Sequence, residues 1–160
     1  MTVRTLILLR HAKAANPDDY ETDIERPLAP RGHRDAAAAG EWLRASALEP
    51  DAVLCSTAVR TRETLAGLGL GNEVPVVYEH RIYVGPAADT LDLLRQTDAT
   101  VETLLLIGHN PTISDLSDEL APRALQHGGL ATSGIAVHRF EGPWRDLNQA
   151  ALVDQQKPRG

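Results

Sequence analysis

Short apolar runs alternate along this chain with stretches whose apolar positions recur at helical spacing. Val3 to Leu9 is mostly apolar and reads as a buried strand. Ala52 to Cys55, Val74 to Tyr78 and Thr103 to Ile107 have the same character, and the last is apolar at every position after Thr103. Between them, Gly32 to Ala45 sets Ala36, Ala39, Trp42 and Leu43 on one stripe, which predicts a helix with Trp42 on its core face. Ala58 to Leu68 is a second helix, ending among Gly67, Gly69 and Gly71. Ala88 to Gln96, with Pro86 just ahead of it, and Thr112 to Leu120 are two more. Gly134 to Phe140 and Leu147 to Val153 are further strands. Ala12 to Arg31 is polar, holds three prolines and reads as a long loop, and Gln155 to Gly160 reads as a loose tail.

Strands that are apolar throughout, separated by helices, must be covered on both faces. The pattern therefore predicts an α/β fold, a three-layer αβα sandwich around a mostly parallel central sheet. The length of 160 residues suits one domain over positions 1–160. Apolar residues make up 42% of the chain but aromatics only 4%, so Leu, Val, Ile and Ala must fill the core.

Charge and cysteine content narrow the function. A net charge of −6 and a pI near 5.4 argue against generic binding to nucleic acid or to anionic lipid. No apolar run approaches the ~18 residues of a membrane span. The run Leu6 to Leu9 stops at Arg10, too soon for a secretory signal. The single cysteine, Cys55, allows no internal disulfide framework and fits a reducing compartment. A cytoplasmic location is the expectation. A monomer is expected too, because no long apolar repeat marks an interface.

In parallel sheets ligands sit beyond the carboxyl ends of the strands, so the residues that follow the strands matter most. Arg10 and His11 follow the first strand; Ser56, then Arg60 and Arg62, follow the second; Gly108, His109 and Asn110 follow the strand Thr103 to Ile107. Two imidazoles and at least two guanidinium groups, distant in sequence, should meet at one sheet edge. Arginine presents a rigid charged fork that matches phosphate oxygens two at a time. A neutral histidine is a good nucleophile. Phosphoryl transfer needs positioning and neutralisation of the equatorial oxygens. Arg10, Arg60 and His109 could surround a phosphoryl group while His11 attacks it, with no metal or other cofactor required. Each residue alone has a plainer reading: Arg60 could pair with Glu63 along its helix, and His109 could cap the helix near Thr112.

These residues resemble the signatures of the histidine phosphatase superfamily, which includes the phosphoglycerate mutases. Leu8-Leu9-Arg10-His11-Ala12 resembles its Arg-His-Gly block. Ser56-Thr57-Ala58-Val59-Arg60-Thr61-Arg62-Glu63-Thr64 resembles its second block, and Gly108-His109-Asn110-Pro111 its late Gly-His. Order and spacing agree from Val3 to about Phe140. Arg10-His11-Ala12-Lys13, the segment Asp23 to Leu28 and Arg31-Gly32 are similar to the short SixA-type branch. The resemblance implies a phosphoglycerate mutase-like fold and a phosphatase that forms a phosphohistidine on His11. It implies Arg10, Arg60 and His109 as the phosphoryl-binding set, and phosphohistidine on a signalling protein as substrate. A small phosphate ester is the alternative substrate. Ala12 departs from the family glycine. The glutamate that protonates the leaving group in larger members has only Glu79 as a counterpart, in a poorly matching stretch. Asp23, Arg26 and Arg31 are candidates for the rim of the site, as is Thr132, which precedes a strand with Ser133.

Three rival readings are weaker. A cysteine-dependent phosphatase carries Cys-x5-Arg, whereas four residues separate Cys55 from Arg60 and six separate it from Arg62. The six histidines include no close pair of metal-ligand spacing and no accompanying carboxylate cluster. A phosphate-binding regulatory module without turnover would need the same Arg and His set, but not a nucleophile.

Overall fold

In a computed structural model, which describes residues 1–159, the chain forms one six-stranded sheet with helices on both faces. The strands are β1 (Val3–Arg10), β2 (Ala52–Cys55), β3 (Val76–Tyr78), β4 (Thr103–Gly108), β5 (Ile135–Glu141) and β6 (Ala151–Gln156), and the helices are α1 (Pro30–Ala45), α2 (Val59–Leu68), α3 (His80–Val84), α4 (Ala87–Arg95) and α5 (Thr112–Leu120). The order across the sheet is β3-β2-β4-β1-β5-β6. β1, β2, β3 and β4 run parallel, while β5 is antiparallel to β1 and β6 to β5. This is the αβα sandwich around a mostly parallel sheet that the alternation of strand and helix predicts, in the phosphoglycerate mutase-like form that the resemblance implies.

The strand interiors are apolar throughout because each face meets its own helical layer. Leu6 and Leu8 of β1, with Leu104 and Leu106 of β4, pack under Ile82, Leu94, Ile113 and Leu116 from α3, α4 and α5. Their neighbours Ile7, Leu9, Leu105 and Ile107 point the other way and pack against Ala39 and Leu43 of α1 and Leu65 and Leu68 of α2. Alternate side chains of one strand thus enter opposite cores.

Several boundaries differ from the sequence reading. α1 starts at Pro30 rather than Gly32, because proline suits the first helical position, where the N–H it lacks would have no helical partner. Trp42 is only partly buried, and Leu43 beside it is the core residue. The final strand begins at Ala151 rather than Leu147: Pro143 opens a 3-10 turn over Trp144–Asp146, which buries Leu147 beneath it. Gln155 and Gln156 pair with Ala136 and Ile135, so the expected loose tail begins in the sheet. Two 3-10 turns, Pro17–Asp19 and Asp23–Glu25, structure the polar loop, and Ala14 and Leu28 bridge across its base. The short helix α3 was not anticipated. Among the described residues no helix is long and apolar enough to cross a membrane.

Candidate active site

The sheet register brings three strand ends level. Arg10 pairs with Gly108 across β1 and β4, and Cys55 pairs with Ile107 across β2 and β4. The ladder runs one bond further, from the His11 amide to the Gly108 carbonyl (3.1 Å) and from the Ser56 amide to the Ile107 carbonyl (3.1 Å). His11, Ser56 and His109 therefore emerge side by side. The rings of His11 and His109 lie 5.3 Å apart between centroids.

Both imidazoles are held by their surroundings. His11 Nδ1 lies 2.7 Å from the main-chain oxygen of Ala12, which can only accept, so Nδ1 carries the proton and Nε2 keeps its lone pair. Ala12 is fixed in turn. Its amide donates to Thr64 Oγ1 (3.0 Å), and its methyl is buried against Leu28 and Ala36, so alanine fits where the family has glycine. His109 Nε2 is 2.7 Å from Ser56 Oγ. That buried hydroxyl also accepts the Ala58 amide (3.2 Å), and among the described residues His109 Nε2 is the acceptor its own proton has, so it donates to Nε2. The proton of His109 then sits on Nδ1, a buried atom with no partner. Burial, against the Ala12 hydrogen bond and aided by the charges of Arg60, Arg10 and Arg26, pushes the His11 imidazolium down to about 4. Burial, with the charges of His11 and Arg60, pushes His109 down to about 3.

Arg10 reaches the carbonyl of Leu130 through Nη1 (3.2 Å), and its Nε is buried without a partner. Asn110 Nδ2 donates to the same carbonyl (2.7 Å), which ties the β4 end to the loop before β5. Arg60 is buried at the start of α2 and does not pair with Glu63, whose carboxylate instead accepts the Leu28 amide (2.8 Å). Its terminal nitrogens donate to the carbonyl oxygen of Asp23 and to Asp23 Oδ2, both at 2.9 Å, and its Nε is also buried without a partner. Arg62 turns away and lies over the ring of Tyr78, 4.0 Å from its centroid.

The remaining candidates separate. Asp23 and Arg26 join the cluster: Arg26 Nη2 meets Asp23 Oδ1 at 3.1 Å. Arg31 instead pairs with buried Asp35 (3.3 Å), four residues on along α1, because the helical repeat places the two on one face. Arg159 reaches the same carboxylate from beyond β6 (3.2 Å). Thr132 is partly buried, while Ser133 beside it donates its amide to the carbonyls of Arg10 and His11 and its hydroxyl to the Asp35 carbonyl (3.3 Å). Glu79 precedes α3, and its carboxylate faces Arg81 at 3.7 Å rather than the histidine pair. Cys55 is fully buried, and burial pushes its thiol up to about 12, which makes it inert at neutral pH. Among the described residues no group of three or more His, Cys, Asp or Glu could hold a metal ion.

Tyr83 of α3 is the residue that sequence reasoning missed. Its ring stands edge-on to His109 (centroids 5.4 Å apart), and its hydroxyl donates to Asp23 Oδ2 (2.8 Å). No periodic signal marks it, because α3 is five residues long and buries only Ile82.

Comparison with known proteins points to one family. Residues 6–83 match the family model of the histidine phosphatase superfamily (branch 1). An uncharacterized protein of Mycobacterium tuberculosis (strain ATCC 25618 / H37Rv) is 44% identical over 161 residues, covering 94% of this chain and 100% of that one. A structure from Nakamurella multipartitia, assigned to the SixA phosphohistidine phosphatases, superposes with a TM-score of 0.89 at 36% identity, covering 100% of this chain and 99% of that one. The protein histidine phosphatase SixA complexed with tungstate is similar with a TM-score of 0.73 at 25% identity, over 96% and 97% of the two chains. The chain belongs to the histidine phosphatase superfamily, in its SixA-type branch.

Proposed function

We propose that this protein is a cytoplasmic, metal-independent phosphatase that removes phosphate from phosphohistidine on a signalling protein through a phosphorylated His11. The observation that carries the reading is the set of buried N–H groups without partners in the cluster around His11: Nε of Arg10, of Arg60 and of Arg26, and Nδ1 of His109. Buried polar groups are ordinarily paired. Orphan donors gathered about an unprotonated imidazole match a ligand with several acceptor oxygens and an electrophilic centre.

In this mechanism His11 Nε2 attacks phosphorus, and the bond from phosphorus to the leaving nitrogen breaks. Arg10, Arg60 and His109 hold the equatorial oxygens as charge redistributes. The leaving imidazole takes a proton from water. Water then attacks the phosphoryl group on His11, releasing inorganic phosphate and restoring the Nε2 lone pair. The turn of Glu79 toward Arg81 supports phosphohistidine over an alkyl phosphate, because an alkoxide leaving group needs a placed acid. The SixA names of the structural relatives point the same way.

The test compares wild type with His11→Ala on a phosphohistidine-bearing protein, sugar phosphates and p-nitrophenyl phosphate, with rapid quenching in base to trap the intermediate. The expected result is an acid-labile phosphoryl group on wild type only, and turnover lowered by about three orders of magnitude or more in the variant. Full activity in His11→Ala rejects the mechanism. Phosphate binding by wild type without turnover or label would instead identify a binding module.

A further inference from the structure

Asp23 makes more polar contacts with the site than any residue outside the histidine pair and its arginines. Its carbonyl oxygen and Oδ2 each accept from Arg60 at 2.9 Å, Oδ2 also accepts the Tyr83 hydroxyl at 2.8 Å, and Oδ1 pairs with Arg26 at 3.1 Å. Two opposite roles fit a carboxylate so placed. It could rival the phosphoryl group for Arg60, or it could hold Arg60 for that group.

The hydrogen-bond pattern decides between them. A guanidinium has five N–H donors on three nitrogens. Asp23 engages Nη1 and Nη2 and leaves Nε, which is buried and without a partner. An anion approaching from the Nε side can take Nε and the second hydrogen of Nη2 as a bidentate pair, with both Asp23 contacts intact. A rival would occupy the donors that the ligand needs. The exposures agree: the Arg60 side chain is 7% exposed and that of Asp23 is 47%. Solvent therefore screens the repulsion between Asp23 and a bound anion. Loss of Asp23, by contrast, would leave a long, rotamer-rich side chain without its polar partners. Tyr83 extends the clamp, because it bonds Asp23 through its hydroxyl while its ring lies against His109 and 5.9 Å from the Arg60 guanidinium carbon.

We propose that Asp23, steadied by Tyr83, is a positioning residue that presents the Nε side of Arg60 to the phosphoryl group. The proposal rests on the phosphoryl-site reading above, and its test has a sign that separates the two. Inorganic phosphate is titrated by calorimetry into wild type, Asp23→Ala, Asp23→Asn and Tyr83→Phe, and KM and kcat are measured in parallel. A positioning role raises the phosphate dissociation constant about fivefold or more in Asp23→Ala, although a negative charge has been removed beside an anion site. Asp23→Asn, which keeps one acceptor, is intermediate, and Tyr83→Phe shows about a twofold rise. KM rises with the dissociation constant, and base-quenched label still appears on His11. Tighter phosphate binding in either Asp23 variant makes Asp23 a rival and overturns this proposal alone, leaving the mechanism standing. Absence of phosphate binding in wild type overturns both. Should an Asp23 variant fail to fold, Tyr83→Phe, which removes one hydroxyl, carries the same sign.

Discussion

At the scale of single residues, the site keeps both imidazoles neutral where an exposed histidine would be partly charged. His11 is the consequential one. Its burial disfavours the imidazolium, and three arginines add repulsion against the opposing pull of the Ala12 carbonyl. On the phosphoryl-site reading proposed above, the charges that would attract a phosphate also add to the burial that keeps Nε2 unprotonated. Ser56 adds direction: its buried hydroxyl proton has His109 Nε2 as its acceptor, which leaves Nδ1–H of His109 as a donor. The pH profile of kcat/KM tests this, since it reports the free enzyme. With His11 held at about 4, the enzyme-side loss on acidification begins below about pH 5, once the ionisation of the substrate is allowed for. Below its pKa the nucleophile carries a proton and cannot attack, so activity falls in that direction. An acid limb centred near pH 6.5, the value of a free imidazole, would show that the pocket does not depress His11. The limb of kcat should sit higher than that of kcat/KM, because a bound phosphoryl group stabilises the imidazolium.

At the scale of elements, α1 and α2 approach closely enough that backbone replaces side chain at their contact. A Cβ on Gly40 would overlap the Leu68 backbone, and one on Gly67 would lie 2.7 Å from the Ala36 methyl. α2 carries both Arg60 and Thr64, so this contact fixes the depth of the arginine proposed to bind the phosphoryl group. Gly40→Ala tests it. Alanine is the better helix former by about 1 kcal/mol, so propensity alone predicts a gain. Overlap with main chain predicts a net loss of about 2 kcal/mol, together with weaker phosphate binding as α2 shifts. Urea unfolding decides the sign, and a stabilised variant would show that the helices have room to part. This scale also shows what the sequence could reveal. Strands buried on both faces write themselves as continuous apolar runs, and Arg10, His11 and His109 follow such runs directly, so their meeting was legible from strand ends alone. Arg60 was legible because it opens the helix after β2. Nothing periodic marks α3 or Tyr83. The partner of Arg31 depended on where α1 began: once the helix starts at Pro30, Asp35 lies one turn along from Arg31. The contacts of Asp23 depend on how a polar loop closes over the site, and hydrophobic pattern carries no record of that.

At the scale of the whole molecule, three buried imidazoles make folding sensitive to mild acid. His138 lies in β5, beneath α5, between the Ser117 hydroxyl (2.7 Å) and the Ala150 carbonyl (2.9 Å), and burial lowers its pKa as it does those of His11 and His109. For a histidine whose folded pKa is depressed, the unfolded chain binds the proton first. Stability is therefore complete above about pH 6.5 and declines as pH falls from there toward the folded pKa. Asp23 acts in another window. Burial alone would raise its carboxyl, but the hydrogen bonds from Tyr83 and Arg60 and the charges of Arg60 and Arg26 outweigh that and hold it below 3.8, so its contribution is lost only under stronger acid. The interval between about pH 6.5 and 4 thus isolates the imidazoles. One unit of depression corresponds to about 1.4 kcal/mol, and a chain of this size loses about 2–4 °C of Tm per kcal/mol. Allowing for partial solvation of the two site histidines, a fall in Tm of roughly 5–10 °C across that interval is expected by calorimetry. His138→Asn should flatten part of the slope without touching the phosphoryl site. If Tm instead stays level to pH 4 in wild type, the three rings take up protons in the folded protein as readily as in water, and the neutral nucleophile at the end of β1 loses its physical basis.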